Sequence, residues 1–226
     1  MSFVDELREA LLPARMRLFS SRLFQALVSD EKAPLDLWRV YLWESYHYVK
    51  HNGINQALAV LRTDPTEKRL MIRYLKHALE EIDHDEMCLR DLEKLGVPRQ
   101  EVFASRPLPE TAAFSSFLYD FVMRDNPIGR LGYSFWAEGF NEESGYIVDR
   151  LRYHFGLPDD HMQFVVAHAH LDARHGKECA ETIERFATTQ ADRDAILYFG
   201  VATCHQFYYV LEAMYERSLR ERAARA

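Results

Sequence analysis

Residues 165–178, VVAHAHLDARHGKE, place three histidines and one aspartate in a stretch with the period of a helix. His168, Asp172 and His175 stand at positions i, i+4 and i+7, which a helix of 3.6 residues per turn brings within about 60° of one another. His170 points away from that face. Imidazole and carboxylate together suit iron, manganese or zinc. Because short motifs of this kind also arise by chance on solvated helices, the stretch indicates a metal site only if other helices supply further ligands.

The helical period extends over nearly the whole chain. No alternating run bounded by turn residues is typical of a strand, and residues 97–111 form the longest irregular segment. The pattern predicts helices at about 2–12, 15–29, 34–62, 66–95, 110–125, 128–155, 159–187 and 190–221. Long helices with short connections predict an all-α bundle, as one domain over residues 1–226, in which facing helices can jointly build a metal site.

Composition limits the class of protein further. The net charge of −7 argues against nucleic acid as a partner, since such proteins carry a basic surface. No run approaches the ~18 apolar residues of a membrane span, and the first residues lack the pattern of a signal peptide. The three cysteines have no CxxC spacing, which indicates reduced thiols. We therefore expect a cytoplasmic protein with neither a membrane nor a nucleic-acid partner.

Two other predicted helices carry candidate ligands. In HALEEIDHDEM (77–87), Glu81 and His84 have the Glu-x-x-His spacing that di-metal bundles use, with Glu80 as the alternative carboxylate. In SFWAEGFNEESGY (134–146), Glu138 lies among aromatic residues, where a buried carboxylate requires a cation. Taken alone, the first cluster is more typical of an exposed acidic run. Taken together, the three helices supply ligands for two divalent ions: Glu81, His84, Glu138, His168, Asp172 and His175.

This set of ligands resembles the heme-oxygenase-like di-metal oxidases, whose fold also includes thiaminase II and pyrroloquinoline-quinone synthase. The resemblance implies a bundle of seven to eight helices and two Fe(II) ions, with manganese or a mixed pair as alternatives, and O2 as co-substrate. It implies an oxidase or oxygenase in a biosynthetic pathway. The substrate would be a small amine, amino acid or fatty-acid-like molecule, undergoing N-oxygenation, desaturation or oxidative C–C cleavage. A homodimer is also expected for this fold.

The position of the substrate is predicted from two helices. Glu44, His47 and His51 share one face of the third predicted helix, and Tyr208 and Glu212 lie on the last helix, which closes the site in this fold. We expect these five residues to line the substrate pocket, with a buried structural role as the alternative. Whether Glu44 or Glu80 is a further metal ligand stays open.

Two other functions remain as alternatives. One is a thiaminase II-like hydrolase of an aminopyrimidine, which relies on a cysteine nucleophile in the middle helices; the predicted sixth helix has Ser134 and Glu138 but no cysteine. The other is a non-catalytic helical protein that binds metal.

Overall fold

The computed structural model describes residues 2–225, apart from the side chains of residues 140–144 and 170–173. The described residues form helices and no strand, and no helix among them is both long and apolar enough to cross a membrane. The α-helices are α1 Phe3–Phe19, α2 Arg22–Val28, α3 Leu35–Val49, α4 Asn52–Arg62, α5 Lys68–Glu81, α6 His84–Lys94, α7 Arg99–Ala104, α8 Pro109–Arg124, α9 Arg130–Ala137, α10 Asn141–Phe155, α11 Gln163–Phe186 and α12 Gln190–Ala223. Short 3-10 turns occupy Pro127–Gly129, Glu138–Phe140 and Asp159–His161.

Three of the predicted helices are each two helices in the structure, which explains the larger number of helices. The predicted spans 34–62, 66–95 and 128–155 break at Lys50–His51, at Ile82–Asp83 and at the 3-10 turn that begins with Glu138. Lys50, His51 and Ile82 keep right-handed helical dihedral angles, and neither of the first two breaks contains proline or glycine. The hydrogen-bond ladder is therefore interrupted while the apolar period continues, so the sequence pattern does not show these bends.

The first helix shows the opposite difference. The sequence predicts helices at 2–12 and 15–29, whereas α1 continues through Pro13 to Phe19. Leu11 and Ala14, on either side of the proline, are buried in the core, and their packing holds the helix together across the missing hydrogen bond. The irregular segment 97–111 also contains the short helix α7.

The backbones of α9 and α12 touch at two glycines. A Cβ atom added to Gly132 would lie 2.1 Å from the carbonyl oxygen of Ile196 and 2.8 Å from the nitrogen of Gly200. No side chain fits at that distance, so glycine at position 132 permits the close approach. Since Glu138 follows directly after α9, this contact fixes the position of a candidate ligand.

Helix α11 is held at its N-terminus by a side chain from α6. The two carboxylate oxygens of Asp91 accept hydrogen bonds from the backbone nitrogens of Gln163 (2.9 Å) and Phe164 (3.0 Å). These are two of the otherwise unpaired N–H groups of the first turn. Burial nevertheless raises the pKa of Asp91 to about 6. The contact sets the position of α11, which carries His168 and His175, against α6.

Candidate metal centre

Two groups of metal-binding side chains meet between α5, α6, α9 and α11. Within each group, potential ligand atoms lie within 4.8 Å of one another. The first group consists of His77, Glu81, Glu138 and His175, and the second of Glu81, His84 and His168. Glu81 belongs to both groups, so the two potential ion sites are adjacent and joined by one carboxylate.

The two oxygens of Glu81 face different groups. Oε1 lies 3.6 Å from Nε2 of His77 and 3.9 Å from Nδ1 of His175, in the first group. Oε2 lies 3.1 Å from Nδ1 of His84, in the second group. Glu81 ends α5 and His84 begins α6, so the contact between them spans the bend at Ile82–Asp83. A carboxylate placed in this way can bridge two cations.

Glu138 likewise lies between two imidazoles. Its Oε1 is 3.3 Å from Nε2 of His77 and its Oε2 is 3.4 Å from Nδ1 of His175. Glu81 and Glu138 are both buried, and among the described residues no lysine or arginine pairs with either of them directly. Two adjacent buried carboxylates need positive charge nearby, which metal ions can supply.

The histidine nitrogens fit the same conclusion. Nε2 of His77 and Nδ1 of His84 are buried and make no hydrogen bond of good geometry, although each faces a carboxylate oxygen. Buried nitrogens of this kind are rarely left without a partner. Imidazole nitrogens and carboxylate oxygens together form a ligand set for iron or manganese. The residues present therefore fit a pair of divalent ions.

Neighbouring groups orient two of the histidines. His168 donates from Nδ1 to the carbonyl oxygen of Phe164 at 2.5 Å, which leaves Nε2 free for a metal. His175 donates from Nε2 to Oε2 of Glu80 at 2.6 Å, and Arg174 holds that carboxylate from the solvent side at 3.0 Å. Such partners fix the tautomer and orientation of a ligating histidine. Glu80, the alternative carboxylate of the sequence analysis, contacts the centre through His175 and belongs to neither group.

A chain of hydrogen bonds also holds Glu81. The side-chain amide of Asn52 donates to Oε2 of Glu81 at 2.8 Å, and its oxygen accepts from the guanidinium of Arg130. Arg130 is fully buried, and its other acceptors are the neutral oxygens of Asn55 and Ser134, each at 2.7 Å. A buried cation without a carboxylate in direct contact is costly. The negative charge nearest to Arg130 along these hydrogen bonds is the carboxylate of Glu81, to which Asn52 connects it.

The pKa values of His175 and Glu138 describe the centre without bound metal, when protons alone balance the charge of the carboxylates. Burial lowers the pKa of His175, but the carboxylates of Glu138, Glu80 and Glu81 outweigh burial and raise this pKa to about 9. Burial raises the pKa of Glu138, but the imidazoles of His175 and His77 outweigh burial and hold this pKa well below its ordinary value. Protons on histidine thus balance the carboxylates, and metal binding is expected to displace them.

A cavity of about 210 Å³ adjoins the centre at Glu81, Glu138 and His168. The rest of its wall is mainly aliphatic and aromatic, and Asn52 is the one residue with a side-chain amide among the described residues that line it. Among the same residues no lysine or arginine lines it. The aromatic side chains of the wall are Phe24, Trp38, Tyr41, Tyr48, Tyr133, Trp136, Phe164 and Phe207.

A second cavity, of about 190 Å³, reaches the centre at His77 and His175. Its wall is polar and includes Arg73, Gln56 and Ser134. The centre therefore lies between an apolar cavity and a polar one.

The structure brings together five of the six ligands predicted from sequence. These are Glu81, His84, Glu138, His168 and His175. The side chain of the sixth, Asp172, lies outside the described residues. His77 is a candidate ligand that the sequence analysis missed. It precedes Glu81 by four residues and therefore shares its helix face, the same relation that drew attention to His168 and Asp172.

The five residues predicted to line the substrate pocket are not among the described residues that line the apolar cavity. Glu44 is fully buried and accepts hydrogen bonds from Thr111 and Arg217, both at 2.7 Å, so it is a structural ion pair. His47 is 2.8 Å from Oγ of Ser105, and His51 is 3.1 Å from the hydroxyl of Tyr119. These polar side chains of α3 and of the bend after it are turned towards α7 and α8. The apolar cavity is lined instead by Trp38, Tyr41, Tyr48 and Val49 of the same helix.

The two predicted pocket residues of α12 lie near the molecular surface. The guanidinium of Arg17 stacks on the ring of Tyr208 at 4.6 Å, and Glu212 pairs with Arg22 at 2.7 Å. The apolar cavity is bordered by Phe207 and Leu211, the residues that directly precede these two.

Comparison of the sequence with models of protein families assigns the chain to a family. The family model for iron-containing redox enzymes matches residues 39–209, which is most of the chain. The chain belongs to this family. An iron-containing redox family agrees with the ligand groups described above. A search of curated protein sequences found no match.

Solved structures agree on the fold of this iron-containing redox enzyme family member. A domain of unknown function with a heme oxygenase-like fold, from Shewanella denitrificans, superimposes with a TM-score of 0.88 at 28% identity, over 96% of this chain and 93% of that chain. A TenA homologue from Pseudomonas syringae pv. tomato gives 0.80 at 18% identity, over 95% and 93% of the two chains. A TenA homologue from P. horikoshii gives 0.74 at 16% identity, over 96% and 99%. The TenA likenesses show the fold alone. The predicted all-α, heme-oxygenase-like fold is confirmed.

Proposed function

We propose that the chain is a non-heme di-metal oxidase or oxygenase that uses two Fe(II) ions and O2 to oxidise a small, largely apolar substrate. The observation that carries this proposal is the position of Glu81, whose two oxygens face two separate groups of ligands. A site for a single structural ion does not need a carboxylate between two groups. Manganese, alone or mixed with iron, would fit the same ligands.

The residues of the centre would bind two separate ions. His77, Glu138 and His175 would hold one ion, and His84 and His168 the other, with Glu81 between them. Bound iron supplies the redox chemistry with O2. The protein holds the ligands in fixed orientations, His168 through the Phe164 carbonyl and His175 through Glu80.

The apolar cavity supports one part of the expected range of substrates more than the rest. Its wall is mainly hydrocarbon, and its polar groups are the amide of Asn52, the hydroxyls of three tyrosines and the candidate metal ligands at one end. A substrate with a hydrocarbon body and one polar end fits such a wall. We therefore favour a fatty-acid-like molecule or an alkyl amine over a polar amino acid. The apolar wall would also exclude water from the reacting atoms.

The thiaminase II-like alternative requires a reactive thiol, and the cysteines do not fit that role. Cys88, Cys179 and Cys204 are all buried free thiols. Burial raises the pKa of each thiol, that of Cys204 to about 12, so none forms the thiolate that a nucleophile needs. None of the three lines the apolar cavity. Their free state is also the basis for proposing that the chain acts in the cytoplasm.

Anaerobic titration with Fe(II) tests the proposal. We expect two irons per chain for the wild type, and fewer for His168→Ala and for Glu138→Ala. His161→Ala is the matched control, because the His161 side chain hydrogen-bonds to Asp160 and belongs to neither ligand group, so the stoichiometry should stay at two. Full iron binding by both ligand variants would contradict the site assignment. Well under one iron in the wild type, with no gain in thermal stability, would favour a non-catalytic protein.

Activity is tested by O2 consumption of the iron-loaded chain with fatty acids, alkyl amines and amino acids of graded length. We expect stimulation by the first two classes. A variant with all three cysteines replaced should keep this activity. Metal-independent hydrolysis of an aminopyrimidine, lost on replacing one cysteine, would instead establish the hydrolase.

A further inference from the structure

The polar cavity beside the metal centre has no role in the proposed function. It is lined by residues of α4, α5, α9 and α11, and it reaches the centre at His77 and His175. The apolar cavity reaches the centre at other residues, Glu81, Glu138 and His168. A molecule in the polar cavity would therefore lie next to the centre without occupying the place proposed for the substrate.

The buried part of this cavity contains hydrogen-bond donors that lack acceptors. Gln56 is 1% exposed, and its side-chain nitrogen makes no hydrogen bond among the described residues. The hydroxyl of Ser134 accepts from Arg130 at 2.7 Å and donates to none of the described residues, so its hydrogen is available. A buried donor without an acceptor is costly. A ligand rich in acceptor oxygens would supply what both groups lack.

The exposed rim of the cavity carries an excess of positive charge. Its two carboxylates are each paired with an arginine, Glu80 with Arg174 at 3.0 Å and Glu178 with Arg73 at 3.1 Å. Lys76 is also on the rim, and within the part of the chain that the structure describes it has no ion-pair partner. The rim therefore keeps one cation that no carboxylate neutralises.

This positive charge continues into a neighbouring pocket, which shares Arg73 with the polar cavity. The pocket adds Arg69 and Arg185, both exposed and neither with an ion-pair partner among the described residues. Its one described acid, Glu181, is paired with a lysine at 4.0 Å. We call the two pockets together the α5–α11 groove, and its unpaired cations are Arg69, Lys76 and Arg185. In a chain of net charge −7 such a groove is a local exception, and its field attracts anions.

We propose that the α5–α11 groove binds a small organic dianion as a second ligand beside the metal centre. The unpaired donors, Gln56 and Ser134, are buried, whereas the unpaired cations are exposed at the rim. A molecule with two anionic groups can contact both sets, one group at each. Dicarboxylates and phosphate esters share this chemistry. The proposal goes beyond the proposed function and does not rest on it, because such binding requires neither O2 nor turnover.

The first test is anaerobic titration calorimetry of the full, iron-loaded chain with two dianions. Succinate provides two carboxylates, and glycerol phosphate provides a phosphate ester. We expect saturable binding of one molecule per chain for at least one of them, and the tighter of the two identifies the class of ligand. Butyrate, with a single carboxylate, should bind at least tenfold more weakly than succinate if succinate binds. Absence of saturable binding for both dianions, or equal binding of succinate and butyrate, would overturn the proposal.

Substitutions at the rim test where the dianion binds. Arg69→Glu/Arg185→Glu should weaken its binding more than tenfold, because both charges of the rim are reversed. Arg90→Glu/Arg106→Glu is the matched control: both arginines are exposed, lie outside the two pockets and carry the same charge. This control should bind the dianion with nearly wild-type affinity. An equal loss in the two double variants would show general attraction by charge and refute the site.

Gln56→Leu tests the buried end of the site separately. Because the Gln56 side-chain nitrogen has no acceptor in the fold, leucine should not lower the melting temperature of the chain, yet it should weaken dianion binding about tenfold. A merely structural role for Gln56 would give the opposite pair of results. Val165→Phe, in the wall of the apolar cavity, should leave dianion binding unchanged. Loss of dianion binding in Val165→Phe, with retention in Gln56→Leu, would place the dianion in the apolar cavity and overturn the proposal.

Discussion

Replacement of Asn52 by leucine tests whether this residue holds Glu81 in position for metal binding, in addition to stabilising the fold. In the wild type, Asn52 donates to Glu81 at 2.8 Å and accepts from the buried Arg130. Leucine has a similar size and can do neither. The substitution thus leaves one buried guanidinium N–H group without an acceptor and frees one carboxylate oxygen of the centre.

Both losses involve charged groups, and each such hydrogen bond is worth about 1.5–3 kcal/mol. Leucine recovers part of this through apolar contact with the adjoining cavity, so we expect a net loss of about 3 kcal/mol. For a chain of this size that corresponds to a melting temperature lower by roughly 6–12 °C. Loss of a group that orients a ligand typically weakens metal binding by about 10–100-fold.

Asn55→Leu is the matched control. Asn55 accepts from Nε of Arg130 at 2.7 Å and donates to the carbonyl oxygen of Leu118, so its loss should destabilise the fold to a similar extent. It makes no contact with Glu81. Calorimetry of the metal-free variants measures stability, and anaerobic competition between chain and chromophoric chelator for Fe(II) measures affinity. We expect both variants to melt early and only Asn52→Leu to bind iron weakly. Equal iron affinity in the two variants would refute the role assigned to Asn52.

Three further outcomes follow from the structure. Gly132→Ala should destabilise the chain by about 3 kcal/mol in chemical unfolding, because its Cβ would meet backbone atoms, whereas Gly200→Ala, with its nearest contact at 3.1 Å, should cost less. Burial, with the charges of Lys50 and Arg217, lowers the pKa of His47 from 6.5 to about 4. Between these pH values the folded chain binds fewer protons than the unfolded chain, so its stability should fall as the pH drops from about 6.5 towards 4. His47→Gln should therefore make the melting temperature less dependent on pH in this range. Val165→Phe, in the wall of the apolar cavity, should shorten the longest alkyl chain that stimulates O2 consumption while iron content stays at the wild-type value; an unchanged chain-length profile would remove this cavity from the proposed function.

Local helix geometry explains which ligands the sequence could predict. His168 and His175 lie on one face of one continuous helix, so their spacing alone places them together. Glu81 and His84 also meet, at 3.1 Å, as their i, i+3 spacing predicts, although α5 ends at Glu81 and α6 begins at His84. His77 stands four residues before Glu81 on the same helix, so the same spacing argument would have predicted it as a ligand.

The lining of the apolar cavity depends on tertiary packing, which helical spacing does not describe. Glu44 and His47 do lie on the polar side of α3, and His51 at the bend that follows it, but which side of a helix faces the centre depends on what packs against it. In α3 the polar side meets α7 and α8, and the apolar side, with Trp38 and Tyr41, meets the cavity. The bends at Lys50–His51 and Ile82–Asp83 could not be predicted either, because they occur without glycine or proline and leave the apolar period intact.

The contact between Gly132 and Gly200 makes the position of Glu138 independent of the side chains that line the apolar cavity. The distance between α9 and α12 is set there by main-chain atoms, which every sequence shares. Exchange of the aromatic and aliphatic residues around the cavity would change its shape while Glu138 stays where the backbone contact places it. A scaffold of this kind can diversify its substrates by substitution in the cavity wall and keep its metal chemistry, as long as the two positions remain without side chains.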